Sequence, residues 1–313
     1  MAGGQERILR RRIRSVQSTR KITKAMELIA ASRIVRAQAR IVANRPFRDG
    51  MARVLRVTAA ADPQAAEKLL GTPETVRHVG ILAIAGDRGL AGSYNSGVLR
   101  MTERRAAEYR ANGAEVTVWS VGKKAPGYFR YRGIEVAESF VGFADRPEFS
   151  DARHVAAVVA APFVAGEMDL IEMVSTRFIS TGTQRVEPLQ LLPLPLPDEV
   201  HIEEAEVSAM NVTPPQDDTT PLEGYTEFEP EPEKLLVELA PRALEAEIFA
   251  ALLEGSASFF TAQQRAMAAA TENADELVRT LTRVMNRARQ DAITTEIMEI
   301  VGGAEALRQA KGA

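Results

Sequence analysis

Residues 86–93, Gly-Asp-Arg-Gly-Leu-Ala-Gly-Ser, form a glycine-rich run directly after VRHVGILAIAG at 76–86, which reads as a buried strand. A glycine-rich turn between strand and helix is where backbone N–H groups can cradle a phosphate. The spacing here argues against that chemistry. The dinucleotide fingerprint needs G-x-G-x-x-G, whereas Gly86, Gly89 and Gly92 stand three apart, and the second strand ends Trp119-Ser120-Val121-Gly122 with no acid for a ribose. A Walker A loop would need Gly-Lys-Ser/Thr, which is absent. The run is therefore read as a tight strand-to-helix turn.

Other reactive residue types are sparse or badly placed. The chain has no cysteine, which removes disulfides, thiolate catalysis and cysteine-ligated metals together. His78, His154 and His201 are scattered without metal-ligand spacing or a nucleophile-elbow motif. Glu203, Glu204 and Glu206 lack the glycine-centred spacing of a calcium loop and read as solvated. Trp119 and the Phe259-Phe260 pair read as core, and Arg130 and Arg132 as flanking a turn. No catalytic, cofactor-binding or metal-binding residue is assigned, and no cofactor is expected.

Charge is unevenly distributed. Residues 1–60 hold 15 Lys and Arg against 3 acids, whereas residues 198–233 hold 12 acids and no Lys or Arg. A basic stretch of this kind is either a solvated helix face or a surface for an acidic partner or nucleic acid. Phe47 is the only aromatic in the first 60 residues, which argues against stacking on single-stranded bases. With no run of 18 apolar residues and no apolar core in MAGGQERILRRRIR, neither a membrane span nor a secretory signal is expected. The chain is placed in the cytoplasm, at most on a membrane surface.

The elements that would position any site are unusual in length. Residues 5–45 contain no Gly or Pro, and residues 242–301 contain only Gly255. Two helices without interior breaks follow, each extending roughly 60–90 Å at the helical rise. That predicts a rod carrying a head. An apolar stripe runs through Leu9, Ile13, Val16, Ile22, Met26, Ile29, Ala37, Ile41, Met51 and Val54, with a bend at Arg45-Pro46 and an end near Ala59. The last helix begins between Pro232 and Arg242, and its stripe includes Leu244, Ile248, Leu252, Phe259, Ala262, Ala266, Leu277, Leu281, Val284, Ala288, Ala292 and Ile297. Such narrow stripes suit an antiparallel coiled coil of the terminal helices.

Between them, residues 62–73 read as a linker, followed by a helix at 96–111, strand 115–121, a short helix or turn through Tyr128, strand 134–140, a helix near 151–165 and strand 169–179. This alternation predicts a mostly parallel, Rossmann-like sheet. The expected organisation is a first coiled-coil helix at 1–60, a Rossmann-like α/β domain at 74–196, an acidic proline-rich loop at 197–233 and a second coiled-coil helix at 234–302. The fold class is α/β with a long antiparallel coiled coil.

Three motifs are individually recognisable. RRRIRSVQSTRKITKAMELIAASRIVRAQ at 10–38 closely resembles the amino-terminal signature of the γ subunit of F-type ATP synthases in its bacterial, and more narrowly actinobacterial, form. GDRGLAGSYN at 86–95 resembles that family's DRGLCGxxN, with Ala91 in place of the common Cys, and NRARQDAITTEIMEIVGGA at 286–304 its carboxy-terminal signature. QLLPLP at 190–195 falls in the expected interval, so the resemblance spans the chain in order.

The resemblance implies a non-catalytic rotor shaft. It would be present in single copy inside a hexamer of alternating alpha and beta subunits, with its α/β domain beside the epsilon subunit and the c-ring. It would couple proton flow to ATP synthesis on the beta subunits. The protein would be peripheral on the cytoplasmic side of the cell membrane, with no direct insertion and no nucleic acid bound. By motif position, Met26, Arg289, Gln290, Thr294 and Glu296 are the implied contacts with beta subunits, and Phe228 and Glu229 with the membrane ring.

Met26 also reads simply as a seam residue of the coiled coil. Gln263 stands where the family carries a basic residue, which leaves no contact to transfer there. The acidic stretch 203–221 is longer than in compact bacterial relatives, and its carboxylates are expected to brush a basic neighbour and retard rotation in the hydrolysis direction. The competing reading from another class is a basic coiled-coil adaptor for nucleic acid or anionic membrane, using residues 7–56. Its binding would fall steeply with salt. A third reading, an enzyme on the Rossmann-like sheet, requires saturable nucleotide binding.

Overall fold

The computed structural model describes residues 2–71, 75–195 and 228–311. In chain order the elements are α1 (Ala2–Ala61), α2 (Pro63–Leu70), β1 (His78–Ile84), α3 (Tyr94–Ala111), β2 (Glu115–Val121), α4 (Lys124–Tyr131), β3 (Val136–Phe140), α5 (Phe149–Val164), β4 (Leu170–Phe178), β5 (Gln184–Leu192) and α6 (Pro232–Lys311). Contacts divide the chain into two units, residues 1–29 with 264–313 and residues 30–263.

Within residues 30–263 the sheet order is β3-β2-β1-β4-β5, parallel throughout except for β5, which runs antiparallel to β4. From Val79 to Ile84 β1 is apolar and buried because both faces are covered, as parallel sheets require. On one face, Val79, Ile81, Ala83, Val118 and Val174 pack against Val98, Leu99 and Ala106 of α3 and Phe129 of α4. On the other, Leu82, Ile84, Trp119, Val121, Ile171 and Met173 meet Val155 and Val159 of α5 and Leu244, Ile248 and Leu252 of α6. Helices α3, α4 and α5 each end at a glycine with positive φ, namely Gly113, Gly133 and Gly166. At each, paired N–H bonds close the last turn, for example Ile134 N–H to Phe129 C=O at 2.9 Å and Gly133 N–H to Arg130 C=O at 3.2 Å.

Two elements depart from the sequence reading. The expected linker at 62–73 holds α2, whose start is capped by the Asp62 carboxylate accepting from Ala65 N–H at 3.0 Å, with Pro63 in the first turn. Ala65, Ala66 and Leu70 anchor it to the core. β5 was not anticipated, because Pro188 sits in the middle of its run. It is an edge strand, where a missing N–H costs little pairing. Pro46 likewise lies inside α1, which is helical through it.

In residues 1–29 with 264–313, α1 and α6 run antiparallel. Thr23 Oγ1 lies 2.8 Å from Thr271 Oγ1, and Arg20 Nε lies 2.6 Å from Asp275 Oδ1, so partnered residue numbers add to about 294. The covered positions of α6 are Gln264, Met267, Thr271, Ala274, Val278, Leu281, Met285, Ala288 and Ala292, alternating steps of three and four. On α1 the same phase runs through Leu9, Ile13, Val16, Arg20 and Thr23, although Arg20 is itself exposed. This 3.5-residue repeat is the coiled-coil period. Its phase corrects the expected stripe. Ile22, Ile29, Leu277, Val284 and Ile297 face outward, and the seam takes Thr23 and Ala274 instead. Apolarity alone misplaced the seam because large apolar residues also occupy the outer face.

Candidate partner-facing surfaces and the clasp around the helices

In an open α/β sheet the ligand crevice lies beyond the strand carboxyl ends where strand order reverses, here between β1 and β4. A helix occupies that position. A Cβ placed on Gly255 of α6 would lie 3.1 Å from Tyr94 Oη and 3.6 Å from Ile84 Cγ2, and one placed on Gly86 would lie 3.1 Å from the Phe259 ring. Tyr94 meets Phe259 edge-on at 5.5 Å between centroids. Ala91, Tyr94 and Phe178 close around Ile34, Ala37 and Ile41 of α1 and Leu253, Ala257 and Phe260 of α6. Burial pushes the Tyr94 phenol pKa above its ordinary value, keeping it neutral. The glycine-rich turn thus clasps the helices.

The clasp is held by side chains that glycine spacing did not reveal. Asn95 Oδ1 accepts from Gly86 N–H at 2.8 Å, and its amide donates to Arg88 C=O at 2.9 Å. The Asp87 carboxylate accepts from the N–H groups of Lys123 (3.1 Å), Gly142 (3.0 Å) and Ala144 (3.0 Å), gathering the loops after β1, β2 and β3. Arg88 pairs with Asp145 at 2.9 Å, and Ser256 of α6 donates to Asp145 C=O at 2.8 Å. An acid following the strand-end glycine was the available signal.

A second anchor lies nearby in sequence on both helices. Arg48 of α1 donates to both carboxylate oxygens of Glu247, at 3.0 and 2.7 Å, and its other terminal nitrogen lies 3.5 Å from Glu254. Glu254 also accepts from Phe178 N–H at 3.0 Å. Burial raises the Glu254 carboxyl pKa, with Arg48 and the Phe178 N–H acting against it. Burial pushes the Arg48 pKa down, but Glu247 and Glu254 outweigh it and hold it above its ordinary value.

The residues singled out in the sequence fall in three places. Met26 is half-buried beside the seam, level with Ala268 by the pairing register. Arg289, Gln290, Thr294 and Glu296 are all exposed on α6, roughly 30–40 Å farther along the helix. Phe228, half-buried, and Glu229, exposed, stand just before α6 in the other unit. Gln263 is buried. The acidic stretch 203–221, with His201, Glu203, Glu204 and Glu206, lies outside the described residues.

Two surface features surround these positions. Toward its carboxy-terminal end α6 carries large apolar side chains on its surface. Ile293, Ile297, Met298, Ile300 and Val301 are exposed, up to 71% for Ile300. Below that tip, Arg7, Arg10, Arg11, Arg12 and Arg14 of α1 run alongside Arg279, Arg283 and Arg287 of α6, with no acid between Glu6 and Glu27 or between Glu276 and Asp291. Exposed Ile8, Ile22, Leu28 and Ile29 are interspersed with the charges. Among the described residues no cluster of metal-ligating side chains occurs, and no helix is long and apolar enough to cross a membrane.

A family model described as ATP synthase matches residues 5–307. The ATP synthase gamma chain of Parafrankia sp. (strain EAN1pec) is 45% identical over 308 residues, covering 97% of this chain and 98% of the relative. Those of Frankia casuarinae and Kineococcus radiotolerans are 44% and 42% identical, each over 97% of this chain and 98% and 97% of the relative. Among solved structures, a chain of the Euglena gracilis mitochondrial ATP synthase OSCP/F1/c-ring assembly matches with a TM-score of 0.64 at 17% identity, over 99% of this chain and 97% of that one. A chain of the Tetrahymena thermophila central stalk and c-ring matches at 0.58 and 23% identity, over 80% and 99%. These two establish the fold, and the sequence relatives displace the reading of α1 as a nucleic-acid or membrane adaptor. The chain belongs to the ATP synthase gamma chain family, the rotor shaft of that enzyme.

Proposed function

We propose that this shaft performs no chemistry of its own and works by presenting different surfaces to the subunits around it. The observation that carries this is the crevice between β1 and β4, filled by Gly255 and Phe259 of α6 where a related sheet would take a ligand. The outward arginines and the exposed apolar tip supply the partner contacts. Alpha and beta subunits surround residues 1–29 with 264–313. Met26, Arg289, Gln290, Thr294 and Glu296 face the beta subunits, and the basic collar meets acidic segments there. A contact of exposed charges is screened beyond about 10 Å in salt and steers approach more than it holds a partner, which suits a surface that must move past its partner.

In this reading each orientation favours a different conformation of each beta subunit, so rotation driven by proton flow drives ATP synthesis. The α/β domain adjoins the epsilon subunit and the c-ring, with Phe228 and Glu229 toward the ring. One copy serves each complex, which is peripheral on the cytoplasmic side of the cell membrane. The acidic stretch 203–221 retards rotation in the hydrolysis direction, and unchanged hydrolysis and synthesis after its deletion would refute that role. The main test is reconstitution of the complex in vesicles with and without this chain. ATP-driven proton uptake is expected only when it is present, and uptake in its absence would overturn the reading.

A further inference from the structure

Arg48 reaches from α1 to two carboxylates one heptad apart on α6, and the second of them also takes the N–H at the end of β4. We infer that this junction is where the α/β layer grips the two helices against twisting, making Arg48 and Glu254 positioning residues for energy coupling. The inference rests on the rotor reading above. Torque entering the α/β domain must reach the helices without slippage. The clasp around Phe259 and Ala257 is largely apolar and non-directional, with Ser256 to Asp145 C=O its directional bond from α6. The bidentate Arg48–Glu247 pair has a fixed planar geometry, and Glu254 extends it to the backbone of β4.

The two acids are seven residues apart, about 10 Å along α6, so the grip opposes tilt as well as twist. A cavity of about 40 Å³ lies beside it, lined among others by Ile41, Asn44, Arg45, Arg177, Ala250 and Leu253. A comparable ion pair, Arg105 with Glu172 at 2.7 Å, ties α3 to β4 and touches neither long helix.

The test measures ATP-driven proton uptake per ATP hydrolysed in vesicles containing the whole complex. Glu254→Gln keeps the size and the acceptor for Phe178 N–H, Arg48→Met removes the bridge, and Glu172→Gln serves as the control. The junction variants are expected to lower the ratio about twofold or more, the lower end of measured coupling effects, while hydrolysis continues. The control is expected to keep the parent ratio even where it lowers thermal stability. An unchanged ratio in Glu254→Gln overturns the inference, as does an equal fall in the control. Failure of the parent complex itself to pump would instead refute the rotor reading.

Discussion

Removing residues from Glu296 onward separates what α6 does for this chain from what it does for partners. Within the chain, Ile297, Met298, Ile300 and Val301 are 54–71% exposed, so their loss uncovers no apolar core. Folding free energy is expected to change by less than about 0.5 kcal/mol, as for surface sites generally. The melting temperature of the purified chain should then move by less than about 2 °C. In the assembled enzyme the same side chains have more than half their surface still to bury. At ~1.5–3 kcal/mol for each fully buried side chain, the four could contribute on the order of 5 kcal/mol to assembly, an upper value because association costs oppose it. Reconstitution titrations read by ATP-driven proton uptake should show at least about a tenfold loss of apparent affinity, the equivalent of 1.4 kcal/mol. A melting temperature lowered by more than about 5 °C would refute the absence of an intrachain role. Undiminished assembly would refute the partner-facing tip.

Thr23→Val alone should destabilise the residue 1–29 and 264–313 pair by about 1 kcal/mol, whereas Thr23→Val with Thr271→Val should recover part of that loss, because the single variant leaves the Thr271 hydroxyl, which also donates to Met267 C=O, against an apolar partner across the seam. A denaturation cycle showing strict additivity would contradict a direct hydrogen bond. Gly80→Ala drives a Cβ into the Trp119 ring and should cost about 1–3 kcal/mol by overpacking, and an unshifted denaturation midpoint would count against this packing. The N–H groups of His78 and Arg77 hold the Asp169 carboxyl below its usual pKa. A lowered folded value means its stabilisation is complete above the unfolded value of about 4 and is lost as pH falls through the folded value. The stability difference between the parent and Asp169→Asn should therefore shrink on acidification below about pH 4, and a difference that grew would reverse the assigned sign.

Much of the architecture could be read before any coordinates. The strand Glu115–Val121 has the same limits in the sequence reading and the structure, because a β-branched run between Gly113 and Gly122 leaves little choice. Long stretches without Gly or Pro made α1 and α6 inevitable, and the alternation between them gave the parallel sheet. β5 and α2 escaped because Pro188 and Pro63 look like breaks until an edge position or a first helical turn gives each a place.

What the sequence by itself determined was local: which residues are helical, which are extended, where charge accumulates, and which motifs mark the family. The seam, the clasp and the Arg48 junction were decided only by tertiary structure. Ile22 and Thr23 differ by one position, and periodicity cannot say which faces a partner helix until the register with Thr271 is fixed. Gly255 and Gly86 look like a helix irregularity and a turn residue in the sequence, yet one meets Tyr94 and the other Phe259 across separations of 161 and 173 residues. Local periodicity records the conformation a segment prefers. Which surfaces meet depends on contacts between segments remote in sequence, and those carry the functional geometry of this protein.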